Sequence, residues 1–196
     1  MIDRQRKTKD PCQVCFLHKD NCICVQIPKL TLATRVSLVI HYKELKRTSN
    51  TGRLAVAALT NSEMFVRGLE QKATDLSTLM SPDYQALFLY PGEDAEPIGA
   101  QQYDKPIHLI VPDGNWRQAS KVYARHPELK DVPRVKVSPR KQATQFLRKE
   151  HVEGGMATLE AIAIALGVLE NLEVEAKLTY LYQLKLQATL KARGHK

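Results

Sequence analysis

No long apolar run interrupts this sequence: the most hydrophobic stretch, Ala161 to Leu169, is nine residues long and follows Glu160, whereas a spanning helix needs roughly 20. No segment therefore reads as a transmembrane helix, and no membrane is expected among the partners. Glycine and proline are also sparse, 9 and 10 of 196 residues, which excludes a collagen-like or linker-like chain. Acidic residues are in deficit, 21 Asp plus Glu against 29 Lys plus Arg, for a formal charge of +8 and a pI near 9.3. The opening MIDRQRKTKDPCQVC sets charges where a secretory signal carries its apolar core, so the expectation is a cytoplasmic chain with reduced cysteines. What is present, 43% hydrophobic and 26% charged residues, suits one globular domain of ordinary size with a small appendage.

Cysteine is confined to one place. Cys12, Cys15, Cys22 and Cys24 are spaced C-x2-C-x6-C-x-C, and none follows. Four thiols offered by two tight turns suit the tetrahedral sulfur shell of a structural zinc ion, which leaves no open position for chemistry. The alternatives are two disulfides, disfavoured in a reducing compartment, and an iron-sulfur cluster, for which a C-x-C closure is uncommon. His18, between the pairs, reads as a surface residue. The expected division is a metal module over residues 1–27 and a main domain over 28–196.

From Pro28 onward, short β-branched runs alternate with helical stretches, which predicts an α/β domain with a mainly parallel sheet flanked by helices. Strands are expected at Thr34 to His41, Met64 to Val66, Gln85 to Tyr90, Ile107 to Val111 and Arg134 to Val137. Helices are expected at Arg53 to Leu59, Trp116 to Arg125, Lys141 to Lys149, Thr158 to Glu173 and Val174 to Lys191. The segment from Pro91 to Pro106, rich in prolines and acids, reads as an exposed loop.

Ligands of open parallel sheets bind beyond the carboxyl ends of the strands, so the turns there are the places to search. Neither G-x-G-x-x-G nor a P-loop is present, which disfavours ordinary dinucleotide and nucleoside-triphosphate sites. Asp113, between a buried strand and a helix start, serves either as a helix cap or, partly buried, as a general base. Trp116, the single tryptophan, is either core packing or a platform for a nucleobase. Arg140, Lys141, Arg148 and Lys149 form either a solvated face or, given the net charge, a footprint for a phosphate backbone.

Taken together, the turns resemble those of the DTW-domain proteins, tRNA-uridine aminocarboxypropyltransferases related to the SPOUT class of knotted RNA methyltransferases. The resemblance rests on the cysteine spacing, His41 with Glu44, Ser49-Asn50-Thr51-Gly52, Leu89-Tyr90-Pro91-Gly92, Pro112-Asp113-Gly114-Asn115-Trp116 with Gln118-Ala119, Leu147-Arg148, and Thr158-Leu159-Glu160-Ala161. Asn115 stands where the family name records a Thr. The resemblance implies a SPOUT-like fold with a C-terminal trefoil knot. No obligate protein partner is evident from the sequence, and a monomer is expected. It implies transfer of the 3-amino-3-carboxypropyl group of S-adenosylmethionine to N3 of a tRNA uridine, in the variable loop, with release of methylthioadenosine. Asp113 would be the general base. Leu89, Tyr90, Pro91, Val111, Pro112, Gly114, Ser138, Thr158 and Glu160 would line the cofactor pocket. Arg53, Trp116, Arg117, Arg140, Lys141 and Arg148 would meet the RNA, the arginines holding phosphates or the cofactor carboxylate. Two other readings remain: a methyltransferase of the same fold and cofactor, and a non-catalytic zinc-bearing RNA-binding protein.

Overall fold

The computed structural model describes residues 10–69, 74–140 and 155–193. Six strands form one sheet in the order β2-β1-β5-β3-β6-β4, and every pairing is parallel. They are β1 Arg35–His41, β2 Ser62–Arg67, β3 Gln85–Leu89, β4 Glu96–Pro97, β5 Ile107–Asp113 and β6 Arg134–Lys136. The helices are α1 Gly52–Ala58, α2 Trp116–Arg125, α3 Thr158–Leu169 and α4 Leu172–Ala192.

The alternation of strand side chains explains the layers. Val36, Leu38 and Ile40 of β1, Leu87 and Leu89 of β3, and Leu109 and Val111 of β5 share a core with α1, α3 and α4. Val39, Phe88 and Ile110 point the other way and pack on Val122 of α2, with Leu76, Leu79, Leu129 and Val132 from connecting segments. Strand β5 lies between β1 and β3 and is buried at all its residues, as a continuous apolar run in a covered parallel sheet requires.

The differences from the sequence reading have local causes. Strand β5 continues through Pro112 to Asp113, so the aspartate ends a strand where the sequence suggested a turn. Pro112 is tolerated because it lies near the strand's end, where little ladder follows. The expected loop at 91–106 contains the two-residue edge strand β4. Its proline suits an edge, where a missing N–H costs no ladder bond. The two C-terminal helices meet earlier than the apolar periodicity indicated, because Asn171 accepts the N–H of Val174 at 3.1 Å and caps α4. The expected basic helix at Lys141 to Lys149 lies outside the described residues. No helix among the described residues is long and apolar enough to cross a membrane.

Candidate functional site: a cleft at the carboxyl ends of the strands

The carboxyl ends of β1, β5 and β3 converge on Asp113, which is 5% exposed. Its two oxygens are held from two different directions. Asn50 Nδ2, in the segment entering α1, donates to Oδ2 at 2.5 Å, and Thr158 Oγ1, the first residue of α3, donates to Oδ1 at 2.6 Å. Thr51 ties the same two elements together, its hydroxyl accepting the N–H of Leu159 at 3.2 Å. Close approach is permitted by Gly52, where a Cβ would lie 3.0 Å from both Asp113 Oδ2 and Leu38 Cδ1. The SNTG segment thus serves Asp113 through its amide, its hydroxyl and its missing side chain.

The helix cap belongs to another residue. Asn115 accepts the N–H of Gln118 at 2.9 Å, and Gln118 Oε1 accepts the N–H of Asn115 at 2.9 Å, a reciprocal capping box. Asp113 is therefore released from the bland role that its place before a helix suggested. An amide at position 115 performs the capping that a threonine hydroxyl performs elsewhere.

Asp113 forms part of a cleft of about 250 Å³. The sequence-predicted Leu89, Tyr90, Pro91, Val111, Pro112, Gly114, Trp116 and Thr158 all line it. Tyr90 and Trp116 meet edge to face, 5.8 Å between ring centroids, and make one wall. Burial raises the Tyr90 phenol above its ordinary pKa, partly offset by a hydrogen bond with Ser120. Ser138 is exposed and Glu160 turns its carboxylate back to the N–H of Ala157 at 3.4 Å, and neither is among the lining residues.

The cleft also contains what residue types alone did not single out: Ser49, Thr51, Lys136, Val137, Met156, Ala157, Ala161 and Tyr182. Lys136 is the informative one. Among the described residues it is the only cation lining the cleft, and it has no ion-pair partner there. The signal was available in the rule that ligands gather at carboxyl ends of parallel strands, since Lys136 ends β6.

The predicted arginines among the described residues are not in the lining of this pocket. Arg117 is exposed on α2. Arg140 is exposed and paired with Glu175 through Nε at 3.0 Å and Nη2 at 2.9 Å. Arg53, on α1, stacks 3.9 Å over the ring of Phe16. Burial lowers its pKa while the Asp113 charge supports its protonated form. Lys141 and Arg148 lie outside the described residues.

The four cysteines do come together. The sulfurs of Cys12 and Cys24 are 3.5 Å apart, those of Cys15 and Cys22 3.8 Å, and all four lie within 4.8 Å of one another. A disulfide needs about 2.05 Å, whereas metal-sulfur bonds of about 2.3 Å in a tetrahedron put the sulfurs about 3.8 Å apart. The donor set thus fits a single four-coordinate ion. Phe16 follows Cys15 with φ of +57°, a left-handed conformation that the hairpin imposes at some cost on a bulky residue. Burial opposes ionisation of Cys12, but hydrogen bonds from the backbone of Cys15 and Val14 and from neighbouring thiols bring it down to about 6. Cys15, Leu17 and Ile23 belong to the same core as β1 and α4, so the knuckle is anchored on the sheet domain.

The fold and site define a parallel α/β protein with a carboxylate-bearing ligand cleft and a four-cysteine knuckle. A family model of the DTW domain matches residues 9–190, and the chain belongs to that family. It is 28% identical over 171 residues to tRNA-uridine aminocarboxypropyltransferase 2 of Drosophila melanogaster, covering 84% of this chain and 66% of the relative. Proteins of the same name from Macaca fascicularis and Mus musculus are 25% and 26% identical over 174 and 169 residues. These cover 84% and 82% of this chain but 58% and 56% of the relatives. The chain spans less than two thirds of the length of these relatives. No solved structure matches it.

Proposed function

We propose that this protein transfers the 3-amino-3-carboxypropyl group of S-adenosylmethionine to N3 of a tRNA uridine, in the variable loop, with Asp113 as general base. The observation that carries the reading is one immobilised carboxylate facing a cleft that also holds one lysine and an aromatic wall. The names of the relatives support it.

The lining suits a zwitterion joined to a nucleoside. Tyr90 and Trp116 offer aromatic surface to a purine, Lys136 offers a cation to a carboxylate, and Asp113 offers an anion beside the sulfonium. S-adenosylmethionine, when bound, supplies a carbon activated by the positive sulfur and a neutral thioether as leaving group. The protein's part is then positioning and proton removal. Three carbons adjoin the sulfonium, so the orientation imposed on the amino-acid arm decides which is transferred. As N3 bonds to the γ-carbon and the carbon-sulfur bond breaks, the N3 proton passes to the Asp113 carboxylate and the sulfur leaves uncharged. Such general-base help contributes about 10² to 10⁴ in rate. Asn50 and Thr158 hold the acceptor oxygens in place. The uridine must be unpaired for its N3 to be reached, and we assign the contacts with tRNA phosphates to Arg117, Arg140, Lys141 and Arg148.

We read the knuckle as structural zinc, because its sulfurs are spaced for one ion and too close to enclose a cluster. We further read the C-terminal region as a SPOUT-like trefoil knot over a catalytic domain of residues 28–196, with residues 1–27 as the zinc module. The knot is what membership of the DTW family suggests for this region; the strand order sets β6 two strands from β5, and Thr158 at the start of α3 is hydrogen-bonded to Asp113.

The test is incubation of the pure protein with S-adenosylmethionine and unmodified tRNA, followed by mass analysis of the nucleosides. A uridine carrying the aminocarboxypropyl group is expected. A methylated uridine without it establishes the methyltransferase reading, and tRNA binding without affinity for S-adenosylmethionine establishes the non-catalytic one.

A further inference from the structure

Among the described residues, Lys185 is a fully buried cation that the cleft does not use. It sits in the middle of α4, 0% exposed, 170 residues away in sequence from the carbonyl oxygen of Cys15, to which its Nζ donates at 2.5 Å. An isolated buried ammonium is costly, and such groups persist only where a compensating charge faces them. From the elements packed around it, the charged or ionisable groups it senses are the thiols of Cys15, Cys12 and Cys24 and the guanidinium of Arg53. Arg53 is itself cationic and adds repulsion, and it is engaged with Phe16 and Asp113. Among the described residues, the groups beside Lys185 that can carry the compensating negative charge are therefore the cysteines. Four neutral thiols supply none. Four thiolates around a divalent ion carry a net charge of −2, the arithmetic being four negative sulfurs less two positive charges on the metal.

We propose that Lys185 is the counter-ion of the metal-loaded four-cysteine centre, so that metal binding and the docking of α4 onto the sheet domain are one event. The proposal rests on the zinc reading above. Groups in the shell around a metal site are worth about 10- to 100-fold in metal affinity, and a charge on the opposing side of a dianionic centre belongs among the stronger of them. The hydrogen bond to Cys15 orients the ammonium, while its charge stabilises the thiolates that the ion requires. The arrangement also explains why a lysine occupies a core position on α4, in line with buried Leu178, Leu181 and Leu186. In the metal-loaded protein an apolar residue there would leave the dianion uncompensated.

Two variants of the full chain separate charge from contact. Lys185→Met removes both, whereas Lys185→Gln removes the charge and keeps a donor for the Cys15 carbonyl. Zinc content of the purified proteins and the rate of zinc transfer to a chromogenic chelator are the first readouts, and thermal unfolding with and without the chelator is the second. Both variants are expected to release zinc about 10- to 100-fold faster than the parent. The order of stability should also invert: with zinc the parent outlasts Lys185→Met, and after chelation Lys185→Met equals or exceeds the parent, whose ammonium then lacks its partner. Should Lys185→Met not fold, the release rate of Lys185→Gln decides alone. Release from Lys185→Gln at the parent rate, or an unchanged stability order after chelation, overturns the proposal. A parent protein that holds no divalent metal refutes the zinc reading itself, which distinguishes the two failures.

Discussion

The two ends of the sheet carry polar groups at equivalent depth and put them to opposite uses. At the amino end His108 is fully buried, its Nδ1 3.0 Å from the carbonyl of Leu79 and its Nε2 2.7 Å from Ser37 Oγ. Ser37 reaches Glu63, which pairs with Arg35. That network closes on itself, covered by Tyr84 at its edge. At the carboxyl end Asp113 is nearly as buried, but its partners Asn50 and Thr158 come from segments that form the rim of a cleft. Burial of a polar group therefore does not mark a site. What marks it is immobilisation at a place a ligand can reach.

The comparison breaks most readily at Asp113. In Asp113→Asn the new carbonyl can still accept from Asn50 and the new amide can donate to the Thr158 hydroxyl, so the fold and S-adenosylmethionine affinity should persist while turnover falls about 10²- to 10⁴-fold. Single-turnover kinetics beside calorimetry reads this, and near-normal turnover would return Asp113 to a structural role. The closed end should answer to pH instead of ligand. Burial, aided by Arg35, lowers His108 from 6.5 to about 4 against weaker support from Leu79 and Glu63. The unfolded chain then binds the extra proton first, so stability is intact above about pH 6.5 and falls as pH drops toward 4. The loss is roughly 2 to 3 kcal/mol. Urea unfolding at pH 7 and pH 4.5 measures it, and His108→Gln should flatten that slope.

Smaller effects sharpen the picture of the open end. Lys136→Met should weaken S-adenosylmethionine about 10- to 100-fold, the worth of a charge-assisted contact. Methylthioadenosine, which lacks the carboxylate, should bind the variant as well as the parent, and equal weakening of both ligands by calorimetry would remove Lys136 from that role. Thr158→Val removes one clamp on Asp113 and should cost about 1 kcal/mol in denaturant stability, with a lower turnover at unchanged tRNA affinity. Asn115→Ala, loss of the α2 cap, should cost about 1 kcal/mol in thermal unfolding. Asn115→Thr should retain most of that stability, because a threonine hydroxyl also caps.

Local signals made much of this legible in the chain. The run at Ile107 to Val111 indicated the central strand, the turns after β3 and β5 indicated the cleft, and the cysteine spacing indicated the knuckle. What escaped is what depends on distance in sequence. Asp113 stayed open between cap and base because its own turn does not show that Asn50 and Thr158 reach over from 63 and 45 residues away. The buried positions of α4 are Val174, Leu178, Leu181, Tyr182, Lys185, Leu186 and Thr189, so its buried face takes in polar residues that an apolar periodicity does not mark. A lysine at such a position carries no local mark of burial, since its partner lies at the other end of the chain. The surroundings of the arginines were hidden for a related reason: Arg53 stacks on Phe16 and Arg140 pairs with Glu175, which charge counting does not reveal.

The central claim is that S-adenosylmethionine lies in the Asp113 cleft with its amino-acid arm aimed at the base. A crystal structure of the protein bound to it tests this most directly. The account predicts the adenine against Tyr90 and Trp116, the arm's carboxylate on Lys136 and the γ-carbon facing the space beside Asp113. A ligand seated elsewhere, or one presenting its methyl group there, contradicts it.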